Sequence, residues 1–405
     1  MLVVQKFGGS SVADAACIMR VAQHAVAQYR AGQKIVVVLS AQGNTTDDLL
    51  AKAREINPDP SKRELDMLLV TGEQQAAALM ALAIHKLGAP AISLNAVQVG
   101  IEATSLYGNA RIKRIRPDRI TRALELNNIV IVAGFQGVNR YGDMTTLGRG
   151  ASDTTAVALA AVLGADICEI YSDVTGVFTA DPRIVPTARK LPAISYDEML
   201  ELASMGAQVL HNRAVEMAKR HRVKLVLRSS RYFEDTGTQV KEGSTMEKLL
   251  FSGLALDRDV ARISILGLRD RPGIAYHVFS LLAAQKICVD IILQTEGSGQ
   301  TKDISFTVAK ADMQSALDVL AINKDAIGFE STTHDTTLTK LSIIGAGMAT
   351  NFGVASAMFE ALYDCGVNIN LISSSEIKIT VLIDAEMADR AAKAIHEKFA
   401  QLMEE

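Results

Sequence analysis

Apolar residues follow two rhythms over the first 230 residues. Short apolar-rich runs at 2–4, 35–39, 89–94, 129–133, 167–171 and 224–227 have the length of strands. IVVVL at 35–39 and IVIVA at 129–133 are unbroken, as expected of strands buried on both faces of a parallel sheet. Between the runs, helical patterns are predicted at about 13–30, 64–87, 118–126, 152–163, 196–203 and 208–220. Strand and helix in alternation predict an α/β layer structure with a mainly parallel sheet. In such sheets ligands sit at the carboxyl ends of the strands.

The pattern changes after a turn-rich transition at 231–260. ISILG at 263–267 matches LSIIG at 341–345, GIAYHVF at 273–279 matches GVASAMF at 353–359, and VDII at 289–292 matches INLI at 369–372. Each copy reads strand, glycine turn, helix, strand, strand, helix, which predicts a ferredoxin-like βαββαβ unit present twice. The expected domains are therefore 1–245, 262–335 and 338–405.

The 405 residues are 49% apolar, enough for several cores, and the net charge of −3 argues against a generally nucleic-acid-binding surface. One basic run (Arg111, Lys113, Arg114, Arg116, Arg119, Arg122) reads as a solvated helix face or a rim that attracts anionic ligands. Cys17, Cys168, Cys288 and Cys365 lie far apart, with no metal-binding spacing, as expected of reduced thiols in a cytoplasmic protein. Neither a secretory leader nor an apolar stretch of membrane-spanning length is read, so no membrane partner is expected.

The candidate chemistry lies in polar loops that follow strands. KFGGSS (6–11) leaves the first strand with a lysine and two glycines, and glycine amides at a helix start suit a phosphate. Gly-Gly after a strand is also an ordinary tight turn, and no Walker A or Rossmann fingerprint is present. SAQGNTT (40–46) follows IVVVL directly, and TGE (71–73) lies within a helical stretch. TTLGRGASD (145–153) ends in Ser152 and Asp153, either of which could cap a helix. SDVTGVFTADPR (172–183) follows the 167–171 run.

In this order, KFGGSSV, VVVLSAQGNTTDDLL, TGE, TTLGRGASD and SDVTGVFTADPR resemble the aspartokinases of the amino acid kinase family, and GAQVLHNRAVEMAKR (206–220) also fits. The twin repeat resembles the paired ACT domains that regulate such enzymes. Two departures are Gln208, where some members have a nucleotide-contacting lysine, and Ser10 in place of a commoner threonine. The resemblance implies an amino acid kinase fold followed by two ACT units. It implies transfer of the γ-phosphoryl group of ATP, with Mg²⁺ carried mostly on the phosphates, to L-aspartate, as the first step of the lysine, threonine and methionine branch.

Lys6, Asp153 and Arg149 are then the catalytic residues, with Asp153 organising Lys6 rather than abstracting a proton. Lys6, Phe7, Gly8, Gly9, Ser172, Asp173, Phe178, Asp181 and Arg183 would hold ATP. Ser40, Thr46, Glu73, Arg149, Gly150 and Ser152 would hold aspartate, Glu73 taking its ammonium group and Arg149 a carboxylate. Lysine and/or threonine would bind at Asp270, Gly273, Ile274, Asp290, Gln294, Asn368 and Asn370. No dedicated metal ligands are implied. A homo-oligomer is expected, or an α2β2 assembly whose smaller subunit starts internally at Met246. Alternatives are a catalytically silent amino-acid sensor and a kinase for another small carboxylate.

Overall fold

A computed structural model describes residues 1–148, 150–206, 209–243, 251–298, 301–345, 348 and 353–402. The chain forms two compact units. The first comprises Met1–Phe178, Arg189–Ser204 and the described part of Gln208–Glu247; the second comprises the described remainder, including Thr179–Ala188.

The first unit is built on an 8-stranded sheet. Edge to edge, its strands are Ala193–Ser195, Thr238–Lys241, Leu225–Ser229, Ile167–Ser172, Leu2–Phe7, Lys34–Leu39, Ile129–Ala133 and Ala91–Leu94. Every pairing is parallel except that between Thr238–Lys241 and Leu225–Ser229. Ile35 to Leu39 are fully buried because both faces of the sheet are covered. On one face Val3, Phe7, Ile35, Val37, Ile129 and Ile131 share a core with the helices Ala15–Arg30 and Lys62–Lys86. The Ser152–Leu163 helix packs on the central strands. Lys62–Lys86 is long and apolar enough to cross a membrane, but Ala76, Ala77, Met80 and Ile84 bury one side of it in this core.

A small sheet, ordered Ile112–Ile115, Ile101–Ala103, Gln136–Val138 and Met144–Thr146, adds to the first unit. Its strands of three or four residues are too short to show a period, and the sequence pattern did not predict them. The basic run is accordingly divided, with Lys113 and Arg114 on a strand and Arg119 and Arg122 on the Asp118–Glu125 helix. The 40–46 loop also ends earlier than expected, because Thr45 begins a helix, Thr45–Ile56.

The second unit contains both repeats. Ala261–Arg269, Ile274–Ala284, Ile292–Glu296, Thr301–Val308, Met313–Ile322 and Ser331–Asp335 form the first βαββαβ unit, with strand order Ile292–Glu296, Thr301–Val308, Ala261–Arg269, Ser331–Asp335. The second repeat has Leu338–Ile344, Val354–Asp364, Leu371–Ser374, Lys378–Asp384 and Ala388–Leu402. Its fourth strand is Gly253–Asp257, which pairs antiparallel with Leu338–Ile344 and so comes from ahead of the first repeat. This differs from the linear reading, in which 231–260 was a transition and the second repeat began at 338.

Lys340, 4% exposed, ties the repeats together, its Nζ lying 3.1 Å from Asp257 and 2.5 Å from Asp290. Burial alone would lower the pKa of this lysine. The two carboxylates outweigh burial and raise it.

Candidate active site

Three adjacent parallel strands, Leu2–Phe7, Lys34–Leu39 and Ile167–Ser172, bring the ends of the first, second and fifth polar loops to one rim. The loops bond across that rim. Ser40 N–H donates to Phe7 O (3.2 Å), Gly43 N–H to Gly9 O (3.1 Å) and Gly8 N–H to Tyr171 O (3.4 Å). Ser11 Oγ donates to Ser230 Oγ (2.8 Å), which donates to Ser172 O (3.1 Å). Ser230 was not singled out from the sequence, since nothing in its neighbourhood marks it.

Gly9 is required by space. A Cβ there would stand 2.7 Å from Ala41 O, nearer than backbone tolerates. The α-helix that follows, Ala15–Arg30, is already capped, because the Asp14 carboxylate accepts the Cys17 N–H (2.7 Å), and only a single 3₁₀ turn, Gly9–Val12, starts at the glycines. The glycine turn and Lys6 are left as the anion-attracting features, and Lys6 Nζ lies 3.6 Å from the place a Gly8 Cβ would take.

Lys6 Nζ is 2.7 Å from Asp153 Oδ1, with the two side chains 12% and 8% exposed. The two groups form a buried ion pair. Asp153 Oδ2 also accepts the His211 N–H at 3.2 Å. Burial lowers the pKa of the His211 imidazole, more than Asp153 raises it. Asp153 is thus not the cap that its position allowed. Ala151 holds the N-cap place without a side-chain bond, and Asp153 sits in the first turn with its carboxylate turned to Lys6. Ser152 is buried, its Oγ 3.0 Å from where a Gly134 Cβ would lie.

Glu73 is 3% exposed on the Lys62–Lys86 helix. Its Oε1 accepts the Ala41 N–H at 3.1 Å, whereas Oε2 has no hydrogen-bond partner among the described residues. Burial raises the pKa to about 7, and the Ala41 bond only partly opposes it. Gly72 permits this approach, since a Cβ there would meet Ala41 Cβ at 2.9 Å. The second and third loops are therefore in contact, and a buried carboxyl oxygen is left for a cationic or proton-donating ligand. Thr46, half-buried, lies in the first turn of Thr45–Ile56.

Arg149 lies outside the described residues, as do Gln208 and Met246. Gly150 is exposed and next to it. The phenyl ring of Phe7 is fully buried and stacks on Tyr171 at 4.6 Å, so only its backbone faces the loops. Asp173 is exposed, Ser172 and Phe178 are half-buried, and Phe178 bridges to Lys190. Lys190 in turn pairs with Asp235 at 2.6 Å. Asp181 and Arg183 belong to the second unit and pair with each other at 2.7 Å, which lowers the Asp181 pKa. A hollow of about 350 Å³ on the small sheet is lined by Lys113, Arg116 and Arg140, and none of the residues around Lys6 borders it.

In the second unit, Gly273 is the N-cap of Ile274–Ala284, Ile274 is buried, and Asp270 is exposed and 3.7 Å from Lys302. Gln294 lies on a fully exposed edge strand. Asn368 is exposed, and Asn370 donates to Asp384 at 3.2 Å. Asp290 is engaged by Lys340.

A family model described as the amino acid kinase family matches residues 1–229, and one described as the ACT domain matches 263–322 and 341–399. The chain is 50% identical to an aspartokinase of Mycolicibacterium smegmatis, over 98% of this chain and 96% of that one. It is 48% identical to an aspartokinase of Geobacillus stearothermophilus, over 98% and 97%. Among solved structures, E. coli aspartokinase III with aspartate and ADP (R-state) superposes with TM-score 0.86 at 25% identity, over 98% of this chain and 99% of that one. The same enzyme with lysine and aspartate (T-state) gives 0.75 at 25% identity, over the same shares. A glycine turn with a buried Lys–Asp pair, two ACT repeats and half-identity over nearly the whole length agree, and the chain belongs to the aspartokinase family.

Proposed function

We propose that the chain transfers the γ-phosphoryl group of ATP to the side-chain carboxylate of L-aspartate, releasing ADP and 4-phospho-L-aspartate. The observation that carries this reading is the buried Lys6–Asp153 pair beside the Gly8–Gly9 turn. An aspartate carboxylate is ionised at neutral pH and attacks without a strong base. The barrier lies in bringing two anions together and spreading charge over the transferring group. Lys6 meets that need, and Asp153, held by His211 N–H, fixes where the ammonium points. Gly8, Gly9, Ser172, Asp173 and Phe178 serve the nucleotide. Ser40, Thr46, Ser152 and Gly150 line the aspartate, Glu73 takes its ammonium and Arg149 its α-carboxylate. Bound E. coli aspartokinase III, with aspartate and ADP, supports this ligand pair.

The described residues hold no group of three or more His, Cys, Asp or Glu that could cage a metal. Mg²⁺ would arrive with the nucleotide phosphates and supply charge neutralisation to the transferring group. Replacing Arg149 by Ala is expected to raise the aspartate KM by roughly two orders of magnitude, as loss of a bidentate charged contact does, with the ATP KM nearly unchanged. Initial rates with each substrate varied in turn check this.

The ACT repeats provide feedback from end products of the lysine, threonine and methionine branch, in the cytoplasm. Lysine is the better supported effector, since E. coli aspartokinase III is solved with it. Asp270, Gly273, Ile274, Asp290, Gln294, Asn368 and Asn370 form the effector site, and an effector ammonium at Asp290 competes with Lys340. A second copy, or a shorter chain started at Met246, pairs with the exposed Ile292–Glu296 edge, where Ile292 is 52% and Leu293 40% exposed.

Deleting the second unit is a poor test, because Ala180 and Val185 share its core. Asp270→Ala in the full chain avoids that, since the carboxylate is exposed and its ion pair with Lys302 is long. Lysine and threonine inhibition should weaken at least roughly tenfold, the scale of ordinary coupling energies, with uninhibited kcat unchanged. Inhibition at unaltered concentrations would remove Asp270 from the site.

A further inference from the structure

The Lys62–Lys86 helix carries a second buried carboxylate, Asp66, 1% exposed and seven residues before Glu73. Seven residues are close to two turns, so both carboxylates lie on one helix face. Asp66 has no cation partner among the described residues, yet its bonds come from three donors. Gly108 N–H lies 3.1 and 2.9 Å from its two oxygens, Thr146 N–H is 3.0 Å from Oδ2, and Thr146 Oγ1 is 2.6 Å from Oδ1. Burial raises the pKa of this acid, while the same donors pull it back.

A second clamp closes the ring. Arg213 donates to Leu147 O at 2.6 Å, to Asn109 Oδ1 at 3.3 Å and to Ala110 O at 3.0 Å. Ala110 N–H donates to Thr146 O at 2.9 Å. The 108–110 turn and Thr146–Leu147 are thus fastened to each other and to the helix that bears Glu73. Thr146 stands three residues before Arg149, and Asp153 four residues after it is fixed by Lys6 and His211.

We infer that Asp66 is a positioning residue for aspartate recognition, registering the segment that bears Arg149 against the helix that bears Glu73. The inference rests on the proposed roles of Arg149 and Glu73.

Asp66→Asn puts an amide N–H₂ against backbone N–H donors. Its aspartate KM should rise roughly tenfold or more, as small misplacements of a binding group do, with ATP KM unchanged and kcat within a few-fold. Thr146→Val removes only the hydroxyl bond and should move the same constant the same way by less, which keeps the test usable if Asp66→Asn folds poorly. In an Arg149→Ala background, Asp66→Asn should add less than about twofold to the aspartate KM, because both changes act through one group. Additive effects, or equal rises in both KM values, would overturn the positioning role. If Arg149→Ala raises the aspartate KM while Asp66→Asn and Thr146→Val leave it unchanged, the positioning role alone fails. If Arg149→Ala itself leaves it unchanged, the assignment of Arg149 fails and the role of Asp66 with it.

Discussion

Lys6→Ala is expected to reduce kcat by at least about 10²–10³-fold, the cost of removing one preorganised charge-stabilising group, while aspartate still binds. Lys6 leaves the first strand beside Gly8 and is only 12% exposed, so water cannot replace its charge where it is needed. The substitution also strips the nearest cation from Asp153, whose Oδ2 keeps the His211 N–H. A buried carboxylate without its cation is destabilising, so the variant should melt at a lower temperature. Asp153→Asn separates the lysine's presence from its placement. It keeps Lys6 and an acceptor for the His211 backbone N–H but leaves the ammonium without its carboxylate, so it too should lower the melting temperature, while kcat falls with the lysine still present because Lys6 is no longer aimed. Calorimetric titration of aspartate into Lys6→Ala, beside its steady-state rates, checks the distinction. Normal turnover by Lys6→Ala would remove the lysine from the reaction.

Glu73→Gln should weaken aspartate binding by roughly 10²-fold, as loss of a buried charged partner does, and should stabilise the unliganded protein at alkaline pH. The Glu73 pKa is raised by burial from 4.5 to about 7. Below pH 4.5 the folded and unfolded chains both hold this proton, and the group has no effect on stability. Between 4.5 and about 7 the unfolded chain releases it first, so folding becomes steadily less favourable as pH rises. Above about 7 the penalty is constant, about 3 kcal/mol at about 1.4 kcal/mol per unit. Glutamine keeps an acceptor for the Ala41 N–H and removes this penalty, less the cost of its own buried N–H₂ group.

Substrate binding has the opposite dependence. An ammonium at Oε2 requires the ionised form, so the aspartate KM should rise about tenfold per unit below pH 7 and level off above it. In Glu73→Gln it should be high and flat over the same range. Aspartate KM and thermal melting measured from pH 5.5 to 8.5 read both trends, and a pH-independent wild-type KM would exclude Glu73 as the ammonium partner.

What the sequence disclosed depended on how strongly each element is buried. IVVVL and IVIVA are covered on both faces, and continuous apolarity made them legible as parallel strands. The Met144–Thr146 strand delivers the TTLGRG segment, but three residues cannot display a period. Thr45–Ile56 fully buries no residue, and its short stripe of Leu49, Leu50 and Ala53 is only half-buried, the two leucines against a small cluster; Asp47 and Asp48 in its first turn and Arg54 in its last were further signals. Lys6, Glu73 and Asp153 were singled out through the ordered set of motifs and the resemblance it carries, because each alone reads as an ordinary turn, helix or cap residue. Asp66 and Arg213 were missed because a charged residue in a helix reads as a solvated face, and only the fold turns them inward. The Gly253–Asp257 strand could not be assigned from the repeat, because its partner Leu338–Ile344 lies beyond an entire intervening unit.

The central claim, phosphoryl transfer to the aspartate side-chain carboxylate, is tested most directly by trapping the product. With ATP, Mg²⁺, L-aspartate and hydroxylamine, the full chain should form aspartyl hydroxamate and ADP in equal amounts, and glutamate, acetylglutamate or UMP in place of aspartate should give no comparable turnover. A chain that binds ATP and aspartate but forms no hydroxamate, or that prefers another acceptor, would contradict the account.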